Sequence, residues 1–244
     1  MRLTNTVACM LALAGALFTN IAAAKIHADT ALKVEPTPIK RFYIGNALDG
    51  GIFSTATMQR PGVSSSLGTL RFSYVLNIGV TFNYDLNSHF GVFTGVDIKN
   101  VGFIEKQGDS TVKHRTYNLG VPLGLRFGNI QSRNFFFIGA DIEMPFNYKE
   151  KGFIKRSHKE KFNDWFSART PTFMPAVFAG FSMKPGVIVK VEYYLTNFLN
   201  PDFTENGIKP YQGYKVNLLL LSIGADIHYR TSAIKKRMKV MKTA

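Results

Sequence analysis

Cysteine is nearly missing from this sequence: among 244 residues there is one, Cys9. It lies inside the first apolar stretch, too early to follow an apolar region as a lipid-attachment cysteine does. The mature chain is therefore expected to carry no thiol and no disulfide, which fits an oxidising compartment. Acid is scarce as well, with 16 Asp and Glu against 30 Lys and Arg and a formal charge of +14. Such a balance suits an anionic membrane, a nucleic acid or a solvated surface. Sequence signatures of chemistry are missing too: there is no Gly-rich phosphate loop, HExxH, calcium loop or nucleophile elbow. The five histidines, His27, His89, His114, His158 and His228, are scattered without ligand spacing, so no metal and no cofactor are expected.

The N-terminal apolar run, Val7 to Phe18, is short for a membrane span and is broken by Thr19 and Asn20. With Arg2 before it and the small residues Ala22 and Ala24 after it, residues 1–24 read as a secretory signal, the alternative being a membrane anchor. Cleavage before Lys25 removes one positive charge and leaves +13 on about 220 residues, enough for one ordinary domain. Export leaves nucleic acid the weakest of the three partners. Residues 25–40, with Pro36 and Pro38, read as a flexible lead-in.

From residue 41 the apolar pattern repeats every two residues. Leu70, Phe72, Tyr74, Leu76, Ile78, Val80, Phe82 and Tyr84 alternate with Arg71, Ser73, Val75, Asn77, Gly79, Thr81 and Asn83. Tyr117, Leu119, Val121, Leu123, Leu125 and Phe127 alternate with Thr116, Asn118, Gly120, Pro122, Gly124 and Arg126, and Leu219 to Tyr229 continue in the same way. A soluble barrel turns its bulk inward to fill a core, yet here the face opposite the apolar one carries glycines and small polar groups. A membrane barrel inverts the arrangement, with apolar bulk toward lipid and the small or polar face inward. Tyr84, Phe127, Tyr193 and Tyr229 then read as girdle residues at the membrane surface.

Eight strands are predicted near 41–57, 69–84, 89–104, 112–127, 134–145, 172–183, 187–199 and 214–229, with a bulge or bend at Gly50-Gly51. The connections 58–68, 105–111, 146–171 and 200–213 are longer than 85–88, 128–133 and 184–186. That alternation is expected of an outer-membrane up-and-down barrel with both termini in the periplasm. Outer-membrane lipid and the barrel-insertion machinery are the partners this architecture implies.

The run Tyr117-Asn118-Leu119-Gly120-Val121-Pro122-Leu123-Gly124-Leu125-Arg126-Phe127, after Phe90-Gly91-Val92-Phe93-Thr94-Gly95-Val96, resembles the small outer-membrane β-barrel family common in Bacteroidota, which includes the PorT-like proteins. The resemblance spans residues 41–229 and implies no cofactor, mostly no enzyme activity, and for some members a link to type IX secretion and partners in the envelope. Ser222, Gly224, Ile227 and Tyr229 also resemble the C-terminal signal read by the insertion machinery, although the basic tail 230–244 follows where that pattern ends.

Within such a barrel the inward set includes Arg71, Asn77, Asp97, Lys99, Arg126, Lys190, Glu192, Asp226 and His228. Buried charges need partners, so Glu192 is expected near Lys190, and Asp226 near Arg126 or Lys190. Paired charges across a narrow interior make a plug, whereas an open interior would hold a small ligand or pass a solute. His114, Ser110 and Glu105 are the candidates for a lipid-modifying catalytic trio. In 146–171, Lys155, Arg156, Lys159, Trp165 and Phe166 read either as a solvated loop or as a contact surface for anionic lipid or a protein partner.

Overall fold

The computed structural model describes residues 41–107, 110–154 and 158–228. The expected signal sequence, the lead-in, Lys155, Arg156 and the basic tail lie outside the described residues, as do the side chains of Lys159 and Asp226. Among the described residues there is no helix, so none is long and apolar enough to cross a membrane. Ten strands form one antiparallel sheet: β1 (Phe42–Arg60), β2 (Val63–Leu67), β3 (Arg71–Asp85), β4 (Phe90–Gln107), β5 (Ser110–Asn129), β6 (Asn134–Ile154), β7 (His158–Trp165), β8 (Met174–Met183), β9 (Val187–Tyr194) and β10 (Lys215–His228).

The sheet runs in the order β10-β9-β8-β6-β5-β4-β3-β1 and curls back on itself, because β10 also pairs with β1 from Gly45↔His228 to Gln59↔Lys215. The register of β1 shifts between Asp49 and Gly51, at the glycine pair that reads as a bulge. Among the described residues β2 pairs only with β1, and β7 only with β6.

These two strands correct the expected count of eight. They fall in segments 58–68 and 146–171, which read as two of the longer connections between strands. Charge does not forbid a strand, because the backbone hydrogen bonds to β1 and β6 form whatever the side chains carry. β4 and β5 likewise extend to Gln107 and Ser110, pairing as Glu105↔Val112 and Lys106↔Thr111 through the expected loop 105–111. β9 ends at Tyr194, five residues before the expected 199.

Burial follows the pleat in inverted form. On β5, Leu119, Val121, Leu123, Leu125 and Phe127 point outward and are 37–67 % exposed, while Asn118, Gly120, Pro122, Gly124 and Arg126 are buried. Asn77 and Asn83 are buried on β3 between exposed Ile78, Val80 and Phe82.

Two apolar clusters fill much of the interior. Toward the short turns Phe93, Phe135, Phe137, Phe178, Ile130 and Ile188 pack together. Inward glycines make room for these rings: a Cβ on Gly124 would lie 2.5 Å from the Phe93 ring, and one on Gly139 would lie 2.6 Å from Phe178. The small inward residues therefore accept rings from neighbouring strands and do not widen a channel. Toward the other end an apolar cluster includes Ile52, Met58, Phe103, Tyr148, Met174, Phe198 and Leu218, an inward apolar layer that the alternation did not suggest.

Candidate functional site

Between the two apolar clusters lies a group of buried charges. Inward parity on β4 presents Asp97 and Lys99, on β6 Asp141 and Glu143, and on β9 Lys190 and Glu192. Lys99 is 1 % exposed, and its Nζ donates to Glu143 Oε1 at 2.7 Å, to Glu192 Oε1 at 2.7 Å and to Asp141 Oδ2. Its three ammonium hydrogens thus meet three carboxylates from two other strands. Asp97 lies 3.8 Å from the same ammonium. Glu143 also accepts from Asn118 Nδ2 and from the Tyr194 hydroxyl, both at 2.7 Å.

Carboxylate oxygens of Asp141, Glu143 and Glu192 lie within 4.8 Å of one another, a spacing that could hold a metal ion. The Lys99 ammonium bonds to all three, so the position a cation would take is filled by the chain itself. Burying this many ions is costly unless they are hydrogen-bonded, and donors converge on Asp141, Glu143 and Glu192 from three strands, β4, β5 and β9.

Lys190 Nζ lies 3.3 Å from Glu192 Oε2, so the sequence-derived pair is together and forms one edge of the cluster. Arg126 stands apart from it. It donates to Asp85 Oδ1 at 2.8 Å and to the Tyr43 hydroxyl, and its guanidinium covers the rings of Tyr43, Phe93 and Phe135. Asp226 stands on β10, but its side chain lies outside the described residues. Asp141, Glu143, Asn118 and Tyr194 were missed as members of the cluster. The alternation Asp141-Ile142-Glu143 carried a signal for the first two, since both acids share the inward parity. A cavity of about 90 Å³ separates Arg126 from the Lys99 cluster, lined by Asn77, Asn83, Asp97, Lys190, Phe93 and Phe178 among others.

At the far end, the candidate catalytic residues divide. His114 Nε2 is 3.5 Å from Glu105, its Nδ1 is 2.7 Å from the Tyr148 hydroxyl, and Phe103 stacks on the ring at 4.7 Å. Tyr148 in turn donates to Glu150 at 2.9 Å. Ser110 shares the strand but stands four residues on, about 13 Å away along β5, so the Ser110 hydroxyl is not at the imidazole. The His114 imidazole, with Arg60 at 3.4 Å, holds the Glu105 carboxyl below its ordinary range. The group is a buried polar tie between β4, β5 and β6.

Trp165 and Phe166 are 62 % and 72 % exposed. Trp165 stacks on Phe146 at 6.1 Å, and Phe166 sits at the end of β7 with a φ of 51°. Arg169 fastens the two long connections by bonding Tyr211 at 3.0 Å and pairing with Glu205, while its guanidinium covers Phe162 and Phe203.

No family model matches this sequence, and none of the curated proteins matches it. Among solved structures the chain is similar to Neisserial surface protein A, at 14 % identity over 78 % of this chain and 98 % of that one, with a TM-score of 0.42. It is also similar to Ail, the attachment invasion locus protein of Yersinia pestis, at 14 % identity over 75 % and 99 % with a TM-score of 0.36. The third is CarO of Acinetobacter baumannii, at 11 % identity over 75 % and 97 % with a TM-score of 0.38. No residue role passes from these proteins to this chain at such distances.

Proposed function

We propose that the chain is an integral barrel of a bacterial outer membrane, closed by eight strands, with β2 and β7 as hairpin extensions on its outer side and both termini in the periplasm. Its role is structural and non-enzymatic. The observation that carries this reading is the inverted burial: rows of outward Leu, Val, Ile and Phe are exposed around the sheet while Lys99, Glu143, Glu192 and Arg126 are buried inside it. An apolar surface that continuous is stable against hydrocarbon and not against water. A plug of paired charges between two apolar layers supports a barrel that does not conduct.

The resemblance to PorT-like proteins extends the reading to an accessory role in envelope assembly or protein export, tested by co-purification from gently solubilised outer membrane. The cavity beside Asp97 and Lys190 favours a second reading, a barrel that holds a small ligand. The test of the main reading combines two measurements. Protein refolded into lipid vesicles should migrate as a heat-modifiable band and show no steady conductance in a planar bilayer. A folded species soluble without detergent would overturn the membrane assignment, and an ion current would overturn the plug.

A further inference from the structure

The β5–β6–β7 ribbon beyond the apolar band has two chemically different faces. Register sets His114 opposite Glu150, and Tyr148 opposite Asp164, so both acids share the face of the two buried residues. The other face carries cations. Lys113 is directly opposite Lys151, and Lys151 is directly opposite Lys161, a row of three lysines across three neighbouring strands. Two residues nearer the apolar band, Arg115 is opposite Lys149, which is opposite Asn163. No acid stands on this face among the described residues.

Cross-strand partners bring Cβ atoms to about 5 Å, and like charges directly opposite one another destabilise a sheet. Two such rows in succession concentrate positive charge on one face, which suits a polyanionic surface. Depth identifies the surface. Just below the cations run three aromatics, Tyr117, Phe146 and Trp165, with ring centroids 6.4 and 6.1 Å apart. Lys149 Nζ lies 5.0 Å from the Tyr117 ring. Below the aromatics Leu119, Val121 and Leu123 begin the apolar band. Aromatics mark the level of the lipid headgroups in a membrane barrel. The cations therefore lie at headgroup height and face sideways, into the leaflet.

We propose that this face binds the phosphates of anionic lipid in the outer leaflet, holding the β6–β7 hairpin down on the membrane surface. The proposal rests on the membrane-barrel reading above. Its geometry favours lipid over an acidic protein segment, because the face looks along the membrane plane and not away from it.

Trp165 is the single tryptophan of the chain and belongs to the aromatic row, so its fluorescence reports on this place. The protein is refolded into phosphatidylcholine vesicles containing either brominated phosphatidylcholine or the same fraction of brominated lipid A. Lipid A is expected to quench Trp165 more strongly, and high salt should erase the difference by screening. In Lys113→Gln/Lys151→Gln/Lys161→Gln the preference should fall about fivefold for each lysine removed. The single variant Lys151→Gln serves if the triple variant folds poorly. Equal quenching by the two lipids in the natural chain, or a preference unchanged in the variants, overturns the proposal. Protection of Trp165 by polyglutamate without any preference for lipid A assigns the face to an acidic protein and overturns it as well. Failure to form a heat-modifiable band in phosphatidylcholine alone is a different result: it overturns the barrel reading, and the proposal with it.

Discussion

Replacing Lys99 with methionine removes the ammonium that three buried carboxylates share while keeping most of the side chain's bulk. A hydrogen bond to a charged group contributes about 1.5–3 kcal/mol, so three of them set an upper bound near 9 kcal/mol. The carboxylates do not lose equally. Glu192 keeps Lys190 at 3.3 Å, and Glu143 keeps Asn118 and Tyr194 at 2.7 Å. Asp141 is worst placed, because its Oδ1 already has no hydrogen-bond partner and Lys99 serves its Oδ2. The loss should thus fall in the range for breaking a buried ion pair, about 3–5 kcal/mol. With a urea slope of about 2 kcal/mol per molar, the midpoint should fall by about 1.5–2.5 M. The assay is urea unfolding of the vesicle-refolded protein, read as loss of the heat-modifiable band. Lys99→Met/Asp141→Asn should recover part of the loss, because it removes the carboxylate left with least. A Lys99→Met midpoint equal to that of the natural chain, or a double variant weaker than the single one, would refute the reasoning.

Neighbouring residues of β5 should respond oppositely to substitution. Leu123→Arg, at a position 67 % exposed, should cost about 2–4 kcal/mol in vesicles if the site faces mid-membrane hydrocarbon, and little if it faces water. Gly124→Ala should cost about 1–3 kcal/mol through overpacking against Phe93, whatever surrounds the barrel, as urea midpoints would show. Because the folded Glu105 carboxyl sits below its ordinary value of 4.5, its contribution is present above that value and is lost as pH falls through the lower folded one. The natural chain should therefore lose its stability advantage over Glu105→Gln on acidification through that window, and an advantage independent of pH would contradict this. Cysteine placed at Thr204, on the β9–β10 connection, should react with an impermeant label on intact cells, whereas cysteine at Lys184, on the β8–β9 turn, should not. The reverse pattern would invert the topology.

The period and the faces are properties of residue order along each strand. Alternation along 70–84 and 116–127 is a property of the pleat, which sends successive side chains to opposite sides whatever the strand pairs with. That is why Leu123 could be placed outward and Arg126 inward from the order of residues alone, and why Lys190 and Glu192, two residues apart on one strand, could be paired. Parity does not say which inward residues share a level. Lys99 meets Asp141, Glu143 and Glu192 across separations of 42, 44 and 93 residues, and those meetings depend on the register and stagger of β4, β5, β6, β8 and β9. The same non-local register leaves Arg126 with Asp85 and Tyr43, apart from the Lys190–Glu192 pair. It also lays the rings of Phe93 and Phe178 into the notches over Gly124 and Gly139, which the order of residues along one strand does not show. The lysine row across β5, β6 and β7 was likewise beyond local reading, since Lys113, Lys151 and Lys161 become neighbours only when the three strands pair. A side chain's face is set within its own strand, but its partners are set by chain closure over tens of residues, which only the folded sheet decides.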